Sequence, residues 1–434
     1  MTTPAPKRLL WLLAPVAAFA ATLALLAAVQ GGGGAAPSLS SVDADIDSVR
    51  AEGASAAELQ QTLRDDPSNV AAYTALGGMY LQRARETSDP AFYSRAEQAF
   101  DRARGLAPTD ANAVIGLGTL ALARHDFKQG LELGFDARRL APDSPRPLAV
   151  LADAQIELGR YPAAATTLDR MVALKPNLTS YARISYFREL HGDLAGAAQA
   201  MALAVSAGAG TPENVAYVQT LLGNLELQRG RVPAAQAAYR QALAGLPSYL
   251  PAQAGLARID AGAGREGAAI ARYRRIVALR PLPEYAIALG EAELVAGRTR
   301  AARADLDLVG AEAQLLRAAG VNVDTEIALF EADHGDPADA VRLGRRALAA
   351  APSVRSEDAL GWALTRAGDP AAGLAHARRA LRLGSSDPLF LYHAGVAARA
   401  SGHDSLGRTW LRRALEHRAA LSPYHARRAE SALR

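Results

Sequence analysis

The feature that most constrains this chain is a period. Prolines that close a helical segment stand at Pro108, Pro142, Pro176, Pro247, Pro281 and Pro352, spaced by 34, 34, 71, 34 and 71 residues. Glycines in mid-unit stand at Gly159, Gly192, Gly230, Gly264, Gly297, Gly335, Gly368 and Gly402, spaced by 33, 38, 34, 33, 38, 33 and 34. Two independent landmarks agree on a unit of 34, and the long proline gaps are two units with three extra residues. Such a chain grows by adding units that bury their apolar faces on one another, so its 434 residues do not predict several closed globular domains.

Within the unit, small and aromatic residues recur in a fixed order. Leu222, Gly223, Ala235, Tyr239, Ala242 and Pro247 form one set. Leu76, Gly77, Tyr80, Ala96, Phe100, Ala103 and Pro108 form a second, with about seven extra residues around 84–94, and Leu256, Ala257, Ala269, Tyr273, Ile276 and Pro281 a third. Gly or Ala lets two antiparallel helices approach closely, and the aromatic ring fills the space between neighbouring units. The central glycine is expected to end the first helix in a left-handed cap. Asp193, Asp336 or Asp369 then caps the second helix, which the proline stops.

This order and period resemble the tetratricopeptide repeat (TPR). The resemblance implies an all-α fold, a right-handed superhelical α-solenoid of about ten helix-turn-helix units with capping helices. Units are expected to begin near Val70, Ala111, Pro145, Thr179, Ala216, Leu250, Pro283, Val321, Val354 and Pro388. The solenoid covers residues 54–422; a lone helix over 54–69 caps its start and a polar helix over 423–434 caps its end, because an uncovered last unit would expose an apolar face.

Composition fits this class. Half of the residues are apolar but only 6% are aromatic, a mix suited to close-packed alanine- and leucine-rich helices. No cysteine is present, which excludes disulfides, thiolate metal sites, cysteine nucleophiles and a lipid on a lipobox cysteine. The net charge is +4, yet 48 basic residues nearly balance 44 acidic ones along the chain, so no nucleic-acid partner is expected.

The first residues carry a targeting signature. Lys7 and Arg8 precede an uncharged apolar run over 9–29, and 30–53 reads as a flexible linker. Twenty-one apolar residues rising about 1.5 Å each span roughly 30 Å, the thickness of a bilayer core, which favours a single transmembrane anchor over a cleaved signal. With Lys7 and Arg8 held in the cytoplasm, the repeats would lie on the extracytoplasmic side; cleavage would leave them periplasmic or secreted.

Tested for chemistry, the sequence yields little. It contains no phosphate loop, no GxSxG, no HExxH and no EF-hand pattern, and no cofactor is implied. Asp333, His334 and Asp336 have the residue types of a metal or acid–base cluster, but His334, Gly335 and Asp336 occupy the turn filled elsewhere by His191, Gly192 and Asp193, so turn chemistry accounts for them. The remaining histidines read as surface or groove residues, and the chain is expected not to be an enzyme.

What remains is binding. In TPR proteins the first helices line a concave face, and by resemblance this selects Asn112, Asp153, Arg183, Phe187, Tyr217, Asn224, Arg258, Glu291, Trp362, Tyr392 and Arg399. Such a lining suits a partner peptide or helix. The lysine and asparagine clamp for a chaperone C-terminus is absent, with Thr74 and Gly78 at matching places. Residues 320–364 also resemble bacterial envelope-targeted TPR proteins of unassigned activity, and carry an acidic first helix (Asp324, Glu326, Glu331, Asp333) as a further partner site. The expected function is a scaffold for other proteins, tethered at or exported across a bacterial cytoplasmic membrane to assemble an envelope complex. The alternatives are the recognition part of an envelope glycosyltransferase or a binder of cell-wall fragments.

Overall fold

A computed structural model describes residues 55–208 and 212–434. The segments expected to be anchor (9–29) and linker (30–53) lie outside the described residues. Among the described residues no helix is long and apolar enough to cross a membrane, and there are helices and turns but no strand.

The helices form ten antiparallel pairs in chain order. Units 1 to 5 are Val70–Thr87 with Ala91–Leu106, Ala111–Ala123 with Phe127–Leu140, Pro145–Glu157 with Tyr161–Leu174, Leu178–Leu190 with Leu194–Ala207, and Pro212–Gln228 with Val232–Gly245. Units 6 to 10 are Leu250–Gly262 with Glu266–Leu279, Pro283–Val295 with Thr299–Leu306 and Leu308–Ala318, Asp324–His334 with Pro337–Ala350, Val354–Arg366 with Pro370–Ala380, and Pro388–Ala400 with Asp404–Glu416. Helix Ala56–Asp65 precedes them, opened by a capping box of Ser55 and Glu58, and Pro423–Leu433 follows them. The all-α solenoid read from the sequence is thus the fold. Its extra residues lengthen the first helices of units 1 and 5 to 18 and 17 residues and split the second helix of unit 7 at Asp307. Unit 8 starts at Asp324 instead of Val321, and unit 5 at Pro212 instead of Ala216.

The steric logic of the repeat is visible in two aromatic wedges. Phe100 is buried between Gly77 and Gly116 of successive first helices, and a Cβ on either glycine would lie 2.6 or 2.2 Å from the ring. Tyr239 sits in the same way between Gly223 and Gly255. Asp193, Asp336 and Asp369 each cap a second helix. Seven of the eight central glycines have positive φ, the left-handed conformation; Gly335 does not, at φ −122. There the Glu331 carboxylate fills the space and accepts the Asp336 N–H at 2.9 Å, closing the turn differently.

The superhelix also closes on itself, which the period does not predict. The inter-helix turn of unit 2 meets the linker after unit 7: Asn322 donates to the Arg124 carbonyl at 2.9 Å and its own carbonyl lies 2.8 Å from His125 Nδ1. The turn of unit 3 meets the linker after unit 8, where Tyr161 accepts the buried Val354 N–H at 2.9 Å. The turn of unit 4 meets Gly384 after unit 9, and that of unit 5 meets the linker after unit 10, His417 Nδ1 lying 2.6 Å from the Gln228 carbonyl. The offset of five units is constant, so consecutive superhelical turns touch along a continuous seam. Gly159 and Gly192 are constrained twice: their φ values are +68 and +77, and a Cβ would fall 2.3 and 2.2 Å from carbonyls of the next turn.

Candidate functional site

Closure turns the concave groove into a central cavity of about 1320 Å³ lined chiefly by first helices. Six of the residues selected from the sequence line it: Asp153, Arg183, Tyr217, Asn224, Arg258 and Glu291. Arg183 donates to Asp153 at 2.7 Å across units 3 and 4, and Tyr239 donates to Asn224 at 2.7 Å, fixing its amide. Tyr217 is 48% exposed, but that surface looks into the cavity, and enclosure by protein pushes its phenol up.

The other five sit elsewhere. Asn112 accepts from Arg146, Phe187 lies against the His191 ring at 4.3 Å, and Arg399 pairs with Asp404 at 2.8 Å. Trp362 and Tyr392 are 2% and 3% exposed and belong to the apolar core. The reason is the C-terminal helix Pro423–Leu433, whose Ala426 and Ala429 join Trp362 and Tyr392 in one buried cluster, so groove positions of units 9 and 10 become interior.

The reading of Asp333, His334 and Asp336 as turn residues needs correction in part. Asp336 caps its helix, accepting the Ala338 N–H at 2.9 Å. Asp333 and His334 instead point inward, and with His393 and His425 they build a buried acid–histidine cluster. His393 and His425, read as surface or groove residues, line the cavity, and so does His334, read as a turn residue. His334 Nε2 lies 3.3 Å from Glu291, His425 Nε2 3.0 Å from Asp333, and His393 Nδ1 2.9 Å from Asp358. Burial alone would raise the Asp333 carboxyl, but the hydrogen bond and charge of His425, with His393 and His334 nearby, hold it at about 2. Burial likewise opposes the charged His425 ring, yet Glu291 and Asp333 together outweigh it and raise the imidazole above its ordinary range. Of the acidic first helix, Asp324 is 4% exposed and pairs with Arg346 at 2.8 Å, while Glu326 lines the cavity. The signal for these roles is not local, because the partners are 35 to 92 residues apart.

Ser422, His425 and Asp333 have the membership of a nucleophile, base and orienting acid, Ser422 Oγ lying 2.8 Å from His425 Nδ1. The chemistry does not follow. Ser422 caps the last helix, accepting the His425 N–H at 3.2 Å. Capping places Ser422 Oγ at the helix N-terminus and accounts for its nearness to the His425 ring without a nucleophile. Among the described residues, no group of three or more His, Asp or Glu side chains is placed to hold a metal ion.

Residues 121–184, from the first helix of unit 2 to that of unit 4, match the family described as tetratricopeptide repeat. No curated protein matches the chain. Among solved structures it is similar to TTC0263, a thermophilic TPR protein of Thermus thermophilus, at 22% identity over 41% of this chain and 94% of that one, with a TM-score of 0.36. It is also similar to YrrB, described as a TPR protein with an unusual peptide-binding site, at 17% identity, covering 46% and 97% of the two chains, with a TM-score of 0.28. Human IFIT1, solved as a dimer with PPP-AAAA, matches at 14% identity over 86% of this chain and 88% of that one, with a TM-score of 0.45.

Proposed function

We propose that this chain, a tetratricopeptide-repeat protein, is a scaffold that holds another protein by an extended segment taken into its central cavity. The observation that carries the reading is the cavity itself. At about 1320 Å³ it exceeds the roughly 300–1,000 Å³ of small-molecule pockets, and its wall mixes aromatic, charged and amide side chains from first helices of many units. A segment lying along this wall would make alternating polar and apolar contacts, the pattern by which peptides are recognised.

We further propose that the scaffold is tethered to the extracytoplasmic face of a bacterial membrane and there assembles an envelope complex. The support is in the sequence: Lys7 and Arg8, the apolar run over 9–29, and the linker to the first helix. Crosslinking in intact membranes, followed by mass spectrometry of the captured proteins and of the mature N-terminus, tests both parts. A partner protein crosslinked to cavity residues such as Tyr217 supports the scaffold. Crosslinks confined to the outer surface refute use of the cavity, and recovery of the chain only in the cytoplasmic fraction refutes the tether.

A further inference from the structure

We infer that the segment held in the cavity is cationic, a peptide whose lysine or arginine side chain seats against a wall formed by Glu189, Asp387 and His393. This rests on the cavity being a peptide site and names the chemistry it selects.

The first observation is a reversal of sign. The whole chain carries +4, yet eight carboxylates line the cavity against four arginines. Those arginines are largely engaged: Arg183 with Asp153 at 2.7 Å, Arg85 with Glu213 at 3.8 Å, and Arg355 beside Tyr186, Glu157 and Glu326. Glu189, Asp387 and Glu284 are among the acids with no arginine or histidine in hydrogen-bond contact, Arg355 acting on Glu189 and Asp387 only through its charge. Glu189 is held by the Gln228 amide at 2.6 Å, Asp387 by the N–H groups of Leu389 and Phe390 at 2.8 and 3.2 Å, and Glu284 lies near Glu326. Burial pushes all three carboxyls up, and a like-charged neighbour adds to it in each case: Asp387 for Glu189, Asp358 for Asp387, and Glu326 for Glu284. An arriving cation would relieve that penalty, whereas an anion would deepen it.

The second observation is independent of the acids' count. His393 is 1% exposed and lines the cavity; its Nδ1 is bonded to Asp358, and the Trp362 ring covers one face at 4.4 Å. Its Nε2 is buried and has no hydrogen-bond partner. A buried ring nitrogen without a partner marks a place where a polar group of a ligand can be seated. That seat adjoins Asp358, which lies near Asp387, itself near Glu189, so its surroundings are acidic and suit an ammonium or guanidinium group better than a carboxylate.

The test uses the purified full-length chain and three fluorescent peptides of equal length, rich in lysine, serine or glutamate, with spermidine as a small polycation. The lysine-rich peptide is expected to bind, to weaken with salt, and to lose about tenfold or more in affinity in the variant Glu189→Gln, Glu284→Gln, Asp387→Asn, which removes charge and keeps the amide and cap geometry. Asp101→Asn, on the outer second helix of unit 1, should leave binding unchanged. Equal or tighter binding of the serine or glutamate peptide overturns the inference while leaving a peptide site in place. So does a triple variant that binds the lysine peptide as well as the parent chain does. Spermidine that displaces the peptide at equal affinity also overturns it, by making the ligand a free polyamine. If none of the three peptides binds, the peptide-holding reading falls with it.

Discussion

Gly116→Ala opposes two known effects and so tests how the units are held together. Gly116 lies inside the first helix of unit 2, where alanine has higher helix propensity by about 1 kcal/mol, and on that ground alone the change would stabilise. The structure predicts the opposite sign. A Cβ there would sit 2.2 Å from Cε1 of Phe100, a ring that packs as closely on Gly77 of the preceding first helix, where a Cβ would lie 2.6 Å from it. Overpacking a buried ring costs about 1–3 kcal/mol, and a ring packed this closely on two glycines belongs at the upper end, leaving a net loss of about 1–2 kcal/mol. Gly105→Ala and Gly310→Ala are matched controls in helices, since nothing lies within 4 Å of a Cβ at either place. Urea and thermal melts should move down for Gly116→Ala and stay or move up for the controls. The sign is the readout, because long repeat arrays need not unfold in one step. Adding Phe100→Leu to Gly116→Ala should recover part of the loss. A neutral or stabilising Gly116→Ala would refute the wedge as the device that sets unit spacing.

Tyr161→Phe removes the acceptor for the Val354 N–H on the seam between superhelical turns, leaving a buried donor unpaired; a loss of about 1–3 kcal/mol is expected in melts. No loss there would mean that the seam carries little of the closure. The Asp333–His425 pair should hold the C-terminal helix best within a bounded pH window. Asp333 is depressed to about 2, so its contribution is present above the unfolded value of about 3.9 and lost as pH falls through 2. His425 is raised, so its contribution is full below about 6.5 and lost as pH rises through its folded value. Asp333→Asn should flatten this profile when melts are compared across pH, and an unchanged profile would refute the assignment. Asp305 is pushed up to about 6 by burial and by the hydrogen bond and charge of Glu293, so its folded state binds the extra proton and stability falls as pH rises from about 4 to 6. Asp305→Asn should therefore stabilise the chain at pH 8 and not at pH 4, and a variant no more stable at pH 8 counts against a raised Asp305 carboxyl.

Much of the fold was legible because the repeat is written locally. Pro108, Gly159 or Asp193 acts on its own turn, and unit starts at Val70, Ala111, Pro145, Leu250, Pro283, Val354 and Pro388 can be read from the landmarks alone. Where extra residues enter, as at Asp307, they can lengthen a helix or break one with equal economy, and the sequence does not say which. The site was legible only in part. Asp153, Arg183 and Glu291 face the cavity as their register requires, but Trp362 has the same register and is core, because the last helix folds over it.

The sequence by itself determined that this chain stacks helical hairpins, roughly how many, and which faces they bury. Only the tertiary structure decided that the stack closes on itself, that the groove is a cavity of acidic balance, and that His334, His393 and His425 meet there. The physical reason is range. Repeat contacts join neighbouring units and are encoded by residue types a fixed distance apart. Closure depends on small rotations accumulated over five units, and no single residue encodes their sum.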